Sequence, residues 1–97
     1  MILSFASKDL ENFFFNDKVP RGVGWANIQK TVRRKLFLLD AAHKVSDLKA
    51  PPGNQLEALK DDLMGYHSIR VNDQWRVIFK WQTTNQGPSE VDVVDYH

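Results

Sequence analysis

The sequence predicts an α+β domain in two layers, with helices first and three or four strands following in succession. Three observations predict it. Between Trp25 and about His43, apolar residues recur at spacings of three and four, the period of one helix face. Between Gly65 and Trp81 they alternate with polar residues, the period of a strand. The run Ala50-Pro51-Pro52-Gly53 separates the two regimes, because proline fixes φ and removes a backbone donor.

Taken in order, Met1–Phe5 is short and apolar and is expected to form a first strand. Ser7 is placed to cap a helix running to about Phe15, with Leu10, Phe13 and Phe14 as its buried stripe. Asn16–Gly24, with Pro20, Gly22 and Gly24, reads as a loop. The long helix follows, with Trp25, Ile28, Val32, Leu36 and Leu39 inward and Lys30, Arg33 and Arg34 outward. Lys44 and His43 suit the negative end of its dipole. Val45–Leu48 adds a turn and Asn54–Lys60 is expected to be a short strand.

The segment Gly65–Trp81 is expected to be a β-hairpin. A loop over Asn72-Asp73-Gln74 pairs Val71 with Trp75 and Ile69 with Val77, so that apolar meets apolar. That register sets Arg70 opposite Arg76, which costs roughly 0.2–1 kcal/mol. Two arginines on an open face suggest an anion between them, although Arg70 has Asp92 or Glu90 as alternative partners. Thr83–Pro88 reads as a polar loop and Ser89–Tyr96 as the last strand.

Length and composition bound the function. Residues 1–97 suffice for one domain with one core. The absence of cysteine excludes a disulfide framework and thiolate zinc. No signal peptide or membrane span is visible, so a cytoplasmic protein is expected. The net charge of +1 conceals an asymmetry: residues 18–49 carry +6, against −2 before them and −3 after them. Such a block fits a polyanion or acidic partner, or simply a solvated helix face.

His43, His67 and His97 lack metal-ligand spacing, and no phosphate-binding glycine pattern occurs, so no metal or cofactor is expected. Asp95-Tyr96-His97 offers a proton-transfer group near neutral pH beside a ring able to stack on a base. Lys60, Arg70 and Arg76 would bind phosphate. Together these are the parts for cleaving RNA without a metal: a base for the 2′-hydroxyl, an acid for the 5′-oxygen and cations for the phosphorane. A frayed terminus is the competing reading of Tyr96-His97.

The runs Pro52-Gly53-Asn54-Gln55-Leu56-Glu57-Ala58-Leu59-Lys60, Ser68-Ile69-Arg70-Val71-Asn72, Gln74-Trp75-Arg76 and Asp95-Tyr96-His97, with Leu39-Asp40-Ala41-Ala42, resemble the HigB branch of the RelE/ParE toxin superfamily. The resemblance spans essentially the whole chain. It implies two N-terminal helices packed on a mainly antiparallel sheet. It also implies an endoribonuclease that cuts mRNA in the ribosomal A site and is neutralised by a helix-turn-helix, HigA-like antitoxin, through which alone it would meet operator DNA.

By motif, Arg76 and Lys60 take electrostatic roles at the phosphate. Asp95, Tyr96 and His97 take proton transfer, positioning and base stacking. Where some relatives have a catalytic histidine, this chain has Glu57, either a general base raised by burial or a structural partner of Lys60. Lys30, Arg33 and Arg34 would meet ribosomal RNA. The alternatives are a ParE-like inhibitor of DNA gyrase that acts by binding, and a non-catalytic RNA- or partner-binding module.

Overall fold

In the computed structural model, which describes residues 1–82 and 87–95, Ser7 opens the first helix as its sequence position predicts. Its extended backbone turns Oγ inward to accept the Leu10 N–H at 3.1 Å, satisfying a donor the helix leaves unpaired. Helix α1 spans Lys8–Asn16 and ends on Asp17 in the left-handed region (φ 58°), whose N–H returns to the Phe13 carbonyl.

Helix α2 spans Gln29–Ala41, shorter at both ends than its periodicity suggests. At the start, Trp25 lies before a 3₁₀ turn over Ala26–Ile28, and Ile28 (φ −120°, ψ 26°) interrupts regular winding. At the end, Ala42 is extended, and the Asp47 carboxylate accepts the His43 and Lys44 N–H groups. Those N–H bonds, that of His43 foremost, hold the Asp47 pKa below its ordinary value. His43 and Lys44 therefore belong to the next 3₁₀ turn, Val45–Lys49, rather than to the dipole end of α2.

The sheet has four strands in sequence order, each pair antiparallel: β1 (Glu57–Ala58), β2 (Tyr66–Arg70), β3 (Trp75–Lys80) and β4 (Ser89–Asp95). The hairpin adopts the register that joins apolar to apolar, with Ile69 opposite Val77 and Arg70 opposite Arg76. Asn72 Oδ1 closes its loop by accepting the N–H groups of Gln74 at 2.9 Å and Trp75 at 2.7 Å.

Two expected strands are cut short. Residues 1–5 contribute a single parallel bridge, Phe5 to Val91, with Leu3 and Ala6 donating to the Pro88 and Val91 carbonyls. Glu90 is left-handed (φ 53°) and gives its N–H to Ser4 Oγ, so the ladder cannot extend. Of Asn54–Lys60, only Glu57–Ala58 is strand. Pro52–Asn54 forms a 3₁₀ turn, Gln55 is left-handed (φ 47°), and Lys60 precedes another turn over Asp61–Leu63.

The core lies between the helices and one sheet face. Leu10 and Phe13 from α1, Val32, Leu36 and Leu39 from α2, and Ile69, Val77, Phe79 and Val91 from the sheet are buried there. Each such side chain contributes roughly 1.5–3 kcal/mol. Phe13 meets Trp25 edge to face at 4.9 Å. Gly24 has a steric role: a Cβ there would lie 2.5 Å from the Trp75 ring, so only glycine admits that ring. Among the described residues no helix is long and apolar enough to cross a membrane.

Candidate active site

Cross-strand register sets the polar face. Glu57 lies opposite Ser68, Ser68 opposite Ile78, and Arg70 opposite Arg76, so these side chains share the face turned away from the core. Arg76 is at its centre. Its Nη1 donates to Ser68 Oγ at 3.2 Å and to the Gln55 carbonyl at 3.3 Å, and its Nη2 donates to Gln55 Oε1 at 3.3 Å. Gln55 presents both acceptors because its left-handed backbone turns the carbonyl and side chain to one side.

Arg70 pairs with Asp73 in the hairpin loop, not with Asp92 or Glu90. Asp73 is one turn of loop away, whereas Asp92 lies on β4 opposite Ile78. An exposed pair of this kind is worth about 0–1 kcal/mol, enough to offset the repulsion from Arg76. Asp92 is partly buried. Burial raises its pKa, opposed by the hydrogen bond from the Val93 N–H.

Glu57 is exposed, not buried, on edge strand β1. With Lys60, Leu59, Asp61 and Leu63 it lines an open depression of about 390 Å³. This brings Glu57 and Lys60 to one rim beside Ser68, whose hydroxyl accepts from Arg76. Asp95 ends β4 opposite Trp75, and its carboxylate accepts Gln74 Nε2 at 3.0 Å. Strand alternation therefore turns it to the Trp75 side, away from the Arg76 face. Tyr96 and His97 lie outside the described residues.

The basic helix is less uniform than its composition. Lys30 and Arg34 are exposed. Arg33 instead pairs with Asp17 and stands over the Phe13 ring, 5.0 Å from its centre. Lys35 is buried, with Nζ donating to Asn54 Oδ1 at 2.5 Å. Burial, and then the charges of Arg34 and Arg70, push its pKa down. Sequence reasoning missed Gln55, Ser68, Asn54 and Lys35. For Lys35 a signal existed, since it falls three residues after Val32 and four before Leu39, on the apolar stripe.

The two helices on a four-stranded sheet match the YoeB/ParE toxin from Agrobacterium tumefaciens, with a TM-score of 0.54 and 20% identity across 100% of this chain and 99% of that one. The fold is therefore shared with that toxin. Sequence narrows it further. Residues 3–97 match the family model of the HigB-like toxin, a RelE-like toxin of the type II toxin–antitoxin system HigB. Toxin HigB-1 of Vibrio cholerae serotype O1 is 48% identical over 81 residues, 84% of each chain. A protein of Haemophilus influenzae is 35% identical over 82 residues, covering 84% of this chain and 76% of its own. The chain belongs to the HigB-like toxin family, and membership in a type II system implies a cognate antitoxin as its partner.

Proposed function

We propose that this toxin is a ribosome-dependent mRNA endoribonuclease, acting without a metal by attack of a ribose 2′-oxygen on the adjacent phosphorus. The observation that carries the reading is the Arg76 guanidinium, held on the open sheet face by Gln55 and Ser68. A planar cation fixed in this way stabilises negative charge that grows on the phosphate in the transition state. As the 2′-oxygen bonds to phosphorus, its proton passes to a base. The bond to the 5′-oxygen then breaks and that oxygen gains a proton, leaving a 2′,3′-cyclic phosphate and a 5′-hydroxyl.

Glu57, exposed on edge strand β1 with β2 between it and Arg76, is one group for the base role; His97 is the other proton carrier. Tyr96 is the base-stacking group, and Asp95, turned to the Trp75 side, acts only by positioning the end of β4 through Gln74. Lys60 adds positive charge at the rim, and exposed Lys30 and Arg34 give α2 its hold on ribosomal RNA. Arg33 and Arg70, engaged with Asp17 and Asp73, add to the same field. The antitoxin is a HigA-like helix-turn-helix protein.

The test is induced expression followed by mapping of mRNA 5′ ends, with and without a drug that stops translation. Cuts in the reading frame that vanish when translation stops support the proposal. DNA breaks with intact mRNA would instead make the chain a gyrase inhibitor.

A further inference from the structure

The apolar stripe of α2 carries one cation where a methionine would fit. Lys35 is only 8% exposed, and burying its ammonium costs several kcal/mol, increased by the neighbouring charges of Arg34 and Arg70. Among the described residues, its ammonium is met by the 2.5 Å hydrogen bond to Asn54 Oδ1. Asn54 is fully buried. Its Nδ2 donates to the Leu48 and Ala50 carbonyls at 3.2 Å each, and its backbone N–H to the Pro51 carbonyl at 2.9 Å. The Pro52–Asn54 turn is thus tied to α2 on one side and to the preceding chain on the other. The next residue is Gln55, whose two oxygens receive Arg76.

We propose that Lys35 and Asn54 are positioning residues, whose hydrogen bond fixes the turn so that Gln55 holds the Arg76 guanidinium at its working angle. The inference rests on the reading of Arg76 as the phosphate-binding cation. A hydrophobic anchor at position 35 would secure the helix equally well; it would not locate the Asn54 amide, which needs a donor at one defined point. Misplacing a charged group by about 1 Å costs on the order of a hundredfold in rate, so a remote restraint can matter to the chemistry.

The experiment is a double-mutant cycle with two readouts: cleavage on mRNA-programmed ribosomes, and the Arg76 Nε–Hε signal in the NMR spectrum of the free protein. Lys35→Met should remain folded by circular dichroism, shift the Arg76 signal, and lower kcat on the order of ten- to a hundredfold. KM should stay within about twofold, the pattern of a loss confined to the transition state. Added to Arg76→Ala, it should cost nothing further, because residues acting through one group are not additive. Gln55→Gly breaks the last link at an exposed, left-handed position that suits glycine, and should reproduce both effects; it decides the matter if Lys35→Met fails to fold. Losses that multiply with Arg76→Ala, or an unmoved Arg76 signal in the folded variants, would overturn the proposal. If the unaltered protein cuts no mRNA, the functional reading fails, and the Arg76 signal alone decides the positioning claim.

Discussion

Arg70 and Arg76 stand opposite each other in the hairpin, yet the two strands restrain them by different means. On β2, Arg70 is held by the Asp73 carboxylate, an ion pair whose acid is almost fully exposed. On β3, Arg76 donates to a carbonyl, an amide oxygen and a hydroxyl, three acceptors that fix the plane of its guanidinium. A carboxylate attracts a guanidinium by charge from any angle; a carbonyl, an amide oxygen and a hydroxyl at three points fix the plane of the fork. The difference is one of rigidity: Arg76 is held at a fixed angle on the sheet face, as the proposed phosphate contact requires, and Arg70 ties the turn.

Breaking the β3 side should have the largest effect. Arg76→Ala is expected to slow cleavage on the order of 10²–10³-fold, the usual loss of a transition-state donor. Thermal unfolding should record a loss of only about 1 kcal/mol for its hydrogen bonds. Arg76→Lys should recover little, since one ammonium cannot span Gln55 and Ser68 as a planar fork does.

The frame behind Arg76 comes next. Asn54→Ala leaves the Lys35 ammonium and two carbonyls buried without their partner, and should cost about 3 kcal/mol in urea unfolding. On the β2 side effects shrink. Asp73→Asn should change stability by less than about 1 kcal/mol while releasing Arg70, so ribosome binding becomes slightly tighter and more salt-dependent.

The smallest effect is at Asp92. Its folded pKa is raised by burial, so the protonated form suits the fold. Its contribution is complete below the unfolded carboxylate range and is lost as pH rises through the folded value. Asp92→Asn, which keeps the Oδ1 acceptor for the Val93 N–H, should therefore raise the Tm modestly at neutral pH and not in acid. A lowered Tm at neutral pH would mean that a cation pairs with Asp92 after all.

Period and register made much of this legible in advance. Alternation fixed the hairpin, because any one-residue slip would have buried the arginines and exposed Ile69 and Val77. The Ser7 cap and the α1 stripe followed from local chemistry, and the motif runs pointed to the family before the fold was seen. What stayed hidden depends on contacts across the chain. The restraint on Arg76 comes from Gln55, twenty-one residues away, through a left-handed backbone that no propensity assigns to glutamine. The first strand failed at Glu90, more than eighty residues from its partner Ser4. Arg33 read as part of the outward basic face and Lys35 only as a charge in the block 18–49, but one is occupied by Asp17 and Phe13 and the other lies in the core.

The division of labour in the hairpin is tested most directly by single-turnover cleavage of mRNA on programmed ribosomes, with Arg70→Ala and Arg76→Ala measured side by side at saturating toxin. The account predicts a rate within about threefold of the unaltered protein for Arg70→Ala, as expected for an exposed pair. For Arg76→Ala it predicts a loss on the order of 10²–10³-fold. Equal losses, or the larger loss at Arg70, would contradict it.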